Sequence, residues 1–173
     1  MGSPPLERRY FISDLHIAHD KLAHIRGWSD AEAYWKELKE AWNDNLKSDD
    51  VVYILGDVVM KRKAIPLLSE LKGSKRIVLG NHDLWEKDLR ELPCVKTCSV
   101  VMSPKHGVIL SHFPVHPGSF THSRLGWRNI HGHLHDLTIE DDRYFNVSVE
   151  QVGLTPVSYD YVNSKLGKRT NVV

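Results

Sequence analysis

The chain has 173 residues, and its 23 basic and 22 acidic side chains give a formal net charge of +1. This balance provides no broad cationic field, which argues against strong nucleic-acid binding and against binding to a membrane surface. The length and the lack of a long linker predict a single domain over residues 1–173, with a flexible start at residues 1–8.

Cysteine usage and hydropathy bear on the cellular compartment. Cys94 and Cys98 form neither a CxxC motif nor a disulfide-rich framework. The N-terminus lacks the apolar core of a signal peptide, and the longest mainly apolar run, Val51–Met60, is too short to span a bilayer. We therefore expect a cytoplasmic protein with no membrane partner, and the sequence leaves its oligomeric state open.

The first predicted strand, Arg9–Ser13, leads directly into Asp14 and His16. A carboxylate and an imidazole two residues apart can converge on one cation. Mixed oxygen and nitrogen ligands suit Mn, Fe, Co or Zn better than Ca. Taken alone, the motif is equally compatible with a solvated loop.

The next stretch predicts a helix followed by a buried strand. Residues Ser29–Leu46 show an apolar stripe at helical spacing, and Ser29 with Glu32 forms a capping box. The nearly continuous apolar run Val51–Leu55 then predicts a strand covered on both faces, and Asp57 follows at its carboxyl end. Asp57 therefore repeats the arrangement of Asp14.

A second strand-to-loop motif occurs at Arg76–Leu79, which is followed by the sequence GNHD. A helix across Ile65–Leu71 would make this strand parallel to Val51–Leu55, so both loops would open at the same edge of the sheet. Asn81 and His82 would then lie on the loop, and Asp83 would begin a helix. An ordinary turn and an ordinary helix cap remain the alternatives for this motif alone.

The pattern changes after Pro93. Short runs at Val95–Met102 and Gly107–Leu110 predict a second, more antiparallel sheet, and the latter run leads to His112. The segment Val115–Arg128 is long and lacks periodicity, which is typical of functional loops. Another strand is predicted at Arg143–Val149, and a short surface segment after it.

Three alternating histidines follow the long loop, at His131, His133 and His135. Histidines at such spacing are typical of metal sites, although an exposed strand face would show the same alternation. The chain therefore has five segments that place metal-type ligands near strand ends: DLH, GD, GNHD, SHFP and GHLH.

This ordered set, from Arg9 to about Val149, resembles the calcineurin-like metallophosphoesterase superfamily, whose signature is DxH, GD, GNHD, a lone His and GHxH. The resemblance implies an α/β fold, a four-layer α/β/β/α sandwich of two mixed sheets flanked by helices, and a two-metal centre. One metal would be held by Asp14, His16, Asp57 and His135, and the other by Asp57, Asn81, His112 and His133. The bridging carboxylate of Asp57 fits two cations about 3.5–4 Å apart.

The resemblance also implies the chemistry. Manganese is the expected metal, with Fe, Zn, Co or Ni as alternatives, and a metal-bridging hydroxide would attack phosphorus. His82 would face the leaving oxygen, and Asp83 would orient His82. The chain is most similar to the small bacterial and bacteriophage phosphoesterases, so we expect a small phosphodiester, a cyclic nucleotide or an aryl phosphodiester, as substrate.

Other activities remain open. A phosphomonoesterase or a nucleotide pyrophosphohydrolase would use the same centre, and some relatives are non-catalytic interaction modules. A protein substrate is disfavoured, because Arg62 is not in the register that phosphoprotein phosphatases show after GD.

Several residues outside the signature are candidate substrate contacts: His19, Arg124, Trp127 and Arg128. A cation in the long loop could meet a phosphate and an aromatic side chain could stack on a base, although a solvated loop would show the same residues. His131 is expected to be structural. The remaining histidines, His24, His106, His116 and His122, are expected to be surface or loop residues.

Overall fold

The structure is a computed structural model that describes residues 9–103, 105–120 and 126–167. Its first sheet has five strands in the order β4-β3-β2-β1-β9. The strands are β1 (Arg9–Ile12), β2 (Val51–Ile54), β3 (Ser74–Val78), β4 (Val95–Cys98) and β9 (Val157–Ser158). The neighbours β1 to β4 are parallel, as expected for β2 and β3, and β9 is antiparallel to β1.

The second sheet has four strands in the order β5-β6-β7-β8. They are β5 (Val101–Ser103), β6 (Val108–Leu110), β7 (Arg128–His131) and β8 (Tyr144–Asn146). Only β5 and β6 pair in antiparallel fashion, whereas β6, β7 and β8 are parallel. The prediction of a more antiparallel sheet was therefore wrong, because long connections rather than hairpins join these three strands.

The helices are short apart from one. They are α1 (Asp20–Ile25), α2 (Ala31–Asn45), α3 (Glu86–Glu91), α4 (Val149–Val152) and α5 (Tyr159–Lys165), with 3-10 helices at Arg62–Glu70 and Pro117–Phe120. None of these described helices has the length and apolar content needed to cross a bilayer.

Three local predictions need correction. Asp30, not Ser29, caps α2, and its side chain accepts a hydrogen bond from the Ala33 N–H. The helix predicted at Ile65–Leu71 is the 3-10 helix Arg62–Glu70, whose interior contains Pro66, a residue that cannot donate to an α-helical ladder. The strand β4 joins the first sheet, because α3 provides a further parallel crossover after β3.

The segment after Gly153 also differs from the expected surface segment. It forms β9 and α5, and the Tyr159 side chain packs in the core between the two sheets. Tyr159 stacks obliquely on Phe11 with ring centroids 6.3 Å apart. The strand β9 thus pairs with β1, which would otherwise be an edge strand of the first sheet.

The core has three parts. On one face of the first sheet, α1, α2 and the 3-10 helix Arg62–Glu70 cover a cluster that includes Ile54, Leu38 and Leu68. The other face packs on the second sheet through side chains such as Phe11 and Ile130. A small cluster of Ile109, Phe120, Trp127 and Tyr144 covers the far side of the second sheet. Two mixed sheets flanked by helices confirm the predicted fold class.

Candidate metal centre

The carboxyl ends of five parallel strands meet at one edge of the sandwich. Asp14 and Asp57 follow β1 and β2, and their loops are joined by hydrogen bonds from the Asp14 N–H to Gly56 O (3.1 Å) and from the His16 N–H to Asp57 O (2.9 Å). His112 and His133 follow β6 and β7 in the second sheet, where the Gly132 N–H donates to His112 O over 3.0 Å. Strand ends of this kind are where ligands bind in parallel α/β sheets.

The backbone of these loops is unusual. Six non-glycine residues in the described chain have a positive φ, and five of them are predicted ligands. Their φ values are 59° for Asp14, 47° for His16, 55° for Asp57, 68° for His133 and 51° for His135. Left-handed conformations cost free energy in such residues and persist where the surrounding fold imposes them, most often at functional sites.

The glycines of the motifs allow the loops to approach each other closely. A Cβ atom at Gly132 would collide with Ser13 Oγ and would lie 2.6 Å from Asp14 Oδ2. A Cβ atom at Gly80 would lie 2.6 Å from the Asp57 nitrogen. Both glycines are therefore required by the packing of one loop against the next.

Three histidine side chains converge around the Asp14 and Asp57 carboxylates. His16 Nε2 lies 3.6 Å from Asp57 Oδ2 and 3.9 Å from Asp14 Oδ1, and His135 Nε2 lies 3.7 Å from Asp14 Oδ1. His112 Nε2 lies 3.5 Å from Asp57 Oδ2. These distances are too long for hydrogen bonds, but they match two ligands of one ion, which lie about 3–4 Å apart when each bond is about 2.1 Å.

Two groups of three residues bring their ligand atoms within 4.8 Å of one another. They are Asp14, His16 and His135, and Asp14, Asp57 and His112. Asp14 Oδ1 and His16 Nε2 are buried without a hydrogen-bond partner among the described residues. Because a buried polar atom without a partner is costly, this pair fits a bound cation and not a dry core.

The tautomer of His112 also fits a cation. Its Nδ1 atom lies 2.8 Å from the carbonyl oxygen of Leu55, which can only accept, so Nδ1 carries the proton. The Nε2 lone pair then faces Asn81 Oδ1 at 2.9 Å. Two acceptors at this distance are compatible if both bind one cation, or if the Asn81 amide is turned so that its Nδ2 donates.

Burial favours the neutral form of two histidines of the centre, His16 and His133, and neutral imidazole is the form that binds metals. Burial, together with the nearby charge of Arg26, lowers the pKa of His16 to about 3. Burial and the neighbouring His112 lower the pKa of His133. His133 belongs to neither group of converging ligand atoms, and its ring centroid lies 5.1 Å from that of His112.

Asp14 is oriented by two donors on one oxygen. The Ser148 hydroxyl (2.8 Å) and the His133 N–H (2.9 Å) both donate to Asp14 Oδ2. The other oxygen, Oδ1, is thereby turned towards His16 and His135. No sequence pattern singled out Ser148, because it lies on α4's N-terminal side, far from Asp14 along the chain.

Two further residues that sequence reasoning missed support His135. Glu150 Oε1 lies 2.8 Å from His135 Nδ1, and the same oxygen accepts from Arg26 Nε and Nη2. Burial alone would raise the pKa of Glu150, but the His135 and Arg26 contacts lower it to about 2. Conversely, the hydrogen bond to Glu150 raises the pKa of His135. Arg26 also donates to the backbone oxygens of Asp14 and Leu15.

The expected role of Asp83 needs correction. Its carboxylate accepts from the backbone N–H groups of Asp57, Val58 and Gly80, at 2.9, 2.9 and 2.8 Å. Both oxygens are therefore used to join the loops after β2 and β3, not to orient the His82 ring. Asp83 does not cap α3 either, which begins at Glu86 after Trp85. Burial raises the pKa of Asp83, while these donors act in the opposite direction.

His82 lies at the rim of the centre. Its side chain is exposed, its ring centroid is 5.6 Å from that of His16, and its N–H donates to Asp57 Oδ1 over 2.9 Å. His19 lies nearby, with its ring 6.1 Å from His16. The Nδ1 atom of His19 accepts from the Leu22 N–H and caps α1, a local role that the sequence did not indicate.

Two predicted substrate contacts are placed elsewhere. Trp127 is buried with Ile109 and Tyr144 on the far face of the second sheet. Arg128 is buried at the start of β7, the end opposite to His133, and donates to the backbone oxygens of Gly167 and His106. Neither side chain faces the centre, so these predictions were wrong.

The remaining predictions concern other histidines and Arg124. Arg124 and His122 lie outside the described residues. His131 is buried, and its Nδ1 lies 2.9 Å from Gly132 O, in keeping with a structural role. His24 and His116 are exposed, whereas His106 is half-buried against Tyr159.

Comparison with known proteins places this geometry in a family. The family model for calcineurin-like phosphoesterases matches residues 8–164. The Gene 66 protein of Mycobacterium phage L5 is 32% identical over 162 residues, covering 75% of this chain and 78% of that protein. An uncharacterized protein of Methanocaldococcus jannaschii is 31% identical over 170 residues, covering 91% and 90% respectively.

A solved structure shares the fold. A protein of unknown function from Aquifex aeolicus superposes with a TM-score of 0.69 at 23% identity, covering 90% of this chain and 97% of that one. The chain belongs to the calcineurin-like phosphoesterase family. Membership implies hydrolase activity that depends on two divalent metal ions, and the ligand atoms described above are candidates to hold them.

Proposed function

We propose that the protein is a phosphodiesterase that hydrolyses small phosphodiesters, such as cyclic nucleotides and aryl phosphodiesters, with manganese as the preferred metal. The observation that supports this most directly is the convergence of Asp14, His16, Asp57, His112 and His135 at one edge of the sheets. Two bound divalent ions supply Lewis acidity and a nucleophile that is available at neutral pH.

Beside the proposed ions, the described side chains around the centre offer no free cation for the second charge of a monoester. A phosphomonoester carries nearly two negative charges at neutral pH, whereas a diester carries one. Arg26 is the cation beside His16, and its guanidinium already bonds Glu150 and two backbone oxygens. It is therefore not free to neutralise a second charge on the substrate.

The protein residues have separate roles in the reaction. Asp14, Asp57, Asn81 and the histidines of the centre would hold the ions, and Asp83, Ser148 and Glu150 fix the positions of those ligands. His82 is placed at the rim, where its imidazole can give a proton to the leaving oxygen. In the reaction a water oxygen bonds to phosphorus, the ester P–O bond breaks, and the leaving oxygen takes a proton, which yields a phosphomonoester and an alcohol or phenol.

The test compares two substrates with the same leaving group. Protein stripped of metal is reloaded with Mn, Zn, Fe, Co or Ni, and kcat/KM is measured for bis-p-nitrophenyl phosphate and p-nitrophenyl phosphate. We expect the diester to be preferred by at least about tenfold, a difference of about 1.4 kcal/mol in the activation free energy.

Two results would contradict the proposal. A preference for the monoester would indicate a phosphomonoesterase on the same centre. Metal binding without turnover of either ester, or of a nucleotide pyrophosphate, would indicate a non-catalytic interaction module.

A further inference from the structure

An open groove of about 670 Å³ lies directly beside the metal centre. One wall is formed by Leu22 and Ile25 of α1, and the other by Leu134 and Leu137 of the loop after β7. His133 and His135 also line it, so the groove and the centre share two residues. The volume is in the range of small-molecule binding pockets, about 300–1,000 Å³.

The walls are apolar although they are open to solvent. Ile25 is 71% exposed and Leu137 is 64% exposed. Single exposed apolar side chains are ordinary on protein surfaces. Here, however, two of them come from different segments of the chain and line the same groove, an arrangement that is typical of a binding surface.

Apart from the histidines of the metal centre, the charged side chains that line the groove include no free cation. Arg26 and Glu150 form an ion pair with each other, with Arg26 Nη2 2.7 Å from Glu150 Oε1. The other charged residue of the lining is Asp136, which is negative and exposed. A second phosphate, as in a pyrophosphate or a polynucleotide, would therefore find no free cation among the described residues of this groove.

The position of the groove determines which part of a substrate reaches it. A phosphodiester bound at the centre carries two ester groups, and only one of them leaves. His82, which we assign to the leaving oxygen, does not line the groove. If His82 and the groove lie on different sides of the bound phosphorus, the groove faces the ester group that stays on phosphorus.

We propose that this groove binds the uncharged, flat part of the ester group that stays on phosphorus, such as an aryl ring or a nucleobase, and that Ile25 and Leu137 select it. The proposal rests on the phosphodiesterase function and specifies its substrate class. Contact between the ring and the two apolar walls removes nonpolar surface from water, and the lack of a free cation disfavours groups with an extra phosphate.

The experiment varies only the ester group that is retained. KM and kcat are measured for p-nitrophenyl phenyl phosphate and p-nitrophenyl methyl phosphate, which share the leaving group. The protein is compared with Ile25→Ser and Leu137→Ser, both at exposed positions, so that folding is preserved. Val100→Ser is the matched control, since Val100 is 49% exposed between β4 and β5 and does not line the groove.

We expect KM to be about tenfold lower for the phenyl ester than for the methyl ester in the unmodified protein. Leu137→Ser and Ile25→Ser should each raise KM for the phenyl ester roughly 3- to 10-fold and should change that for the methyl ester much less. Val100→Ser should behave like the unmodified protein. If the groove variants affect both esters equally, the groove assignment is wrong while the phosphodiesterase function stands.

A binding measurement separates the two proposals. Calorimetric titration of the metal-loaded protein with diphenyl phosphate and with dimethyl phosphate measures binding without requiring turnover. We expect diphenyl phosphate to bind about tenfold more tightly and Leu137→Ser to remove most of that difference. Absence of turnover with this preference intact would overturn only the phosphodiesterase proposal. Equal binding of the two diesters would overturn the groove assignment.

Discussion

The Nδ1 atom of His135 donates a hydrogen bond of 2.8 Å to Glu150 Oε1, an oxygen that Arg26 also binds. Glu150 is ionised at neutral pH, because its contacts lower its pKa to about 2, so it can only accept. The Nδ1 proton of His135 is thereby fixed on the Glu150 side, which leaves Nε2, 3.7 Å from Asp14 Oδ1, as the atom that can bind a metal. A carboxylate behind a histidine ligand fixes the ring and makes it a stronger donor to metal.

The first prediction concerns this support. Glu150→Gln removes the charge that orients His135 and should weaken metal binding about tenfold, as is typical for the outer partner of a histidine ligand. The measurement is a calorimetric titration of the metal-free protein with Mn²⁺ or Zn²⁺. Glu140→Gln is the matched control, since Glu140 is exposed. Unchanged affinity in a folded Glu150→Gln protein would show that the contact has no influence on the centre.

The second prediction concerns Asp57, whose Oδ2 lies 3.6 Å from His16 Nε2 and 3.5 Å from His112 Nε2. An oxygen placed between two groups of ligands is expected to touch both ions, so Asp57→Asn should lose more bound metal than His133→Ala and should abolish turnover. Asparagine keeps an acceptor for the His82 N–H, which separates the loss of charge from a loss of loop structure. Elemental analysis gives the metal content, and a near-normal content with near-normal rate would refute the bridging role.

The third prediction tests the close packing of the loops. In Gly132→Ala the new methyl group would collide with Ser13 Oγ, next to Asp14. We expect a loss of about 1–3 kcal/mol in the free energy of unfolding, measured in urea on the metal-free protein, because overpacking at a buried site is not relieved by small shifts. Gly118→Ala is the control, since its nearest neighbour is the exposed His116 side chain at 3.0 Å. Equal effects of the two changes would contradict this account.

The sequence indicated where the site lies, because ligands bind at the carboxyl ends of parallel strands. Each of Asp14, Asp57 and Asn81 follows a short apolar run, and the carboxyl ends of parallel strands meet at one edge of a sheet. Local patterns of this kind are visible without knowledge of tertiary contacts. They indicate which segments come together, whereas the four-layer sandwich was implied by the resemblance to the calcineurin-like family.

The contacts that could not be predicted are those between distant segments. Asp83 resembles a helix cap in sequence, yet its carboxylate binds backbone N–H groups 25 and 26 residues away. Arg26 and Glu150 are 124 residues apart and lie in no recognisable motif. For Trp127, a position between two predicted ligands fixed the ends of the loop but not the face towards which the side chain points.

The fourth prediction follows from the placement of Trp127. The side chain is 7% exposed and packs with Ile109, Phe120 and Tyr144, so Trp127→Ala should cost about 3–5 kcal/mol of folding free energy through the cavity it leaves. Trp127→Phe should fold and should leave KM for nucleotide and aryl diesters unchanged. Urea denaturation and steady-state kinetics check the two parts. A selective rise in KM for a nucleotide diester in Trp127→Phe would restore Trp127 as a substrate contact.

The last prediction concerns His82, which is exposed at the rim and bonded to Asp57 only through its backbone N–H. The His82 imidazole belongs to neither of the two groups of candidate ligand atoms. His82→Ala should therefore retain the metal content of the unmodified protein. If the imidazole protonates the leaving oxygen, kcat should fall by about 10²–10⁴-fold for an alkyl leaving group. The deficit should be much smaller for p-nitrophenolate, which leaves readily without a proton.

His116→Ala, a change of an exposed histidine outside the centre, serves as the control. Loss of metal in His82→Ala would make His82 a ligand, and an equal deficit for both leaving groups would show that it positions the substrate and does not transfer the proton.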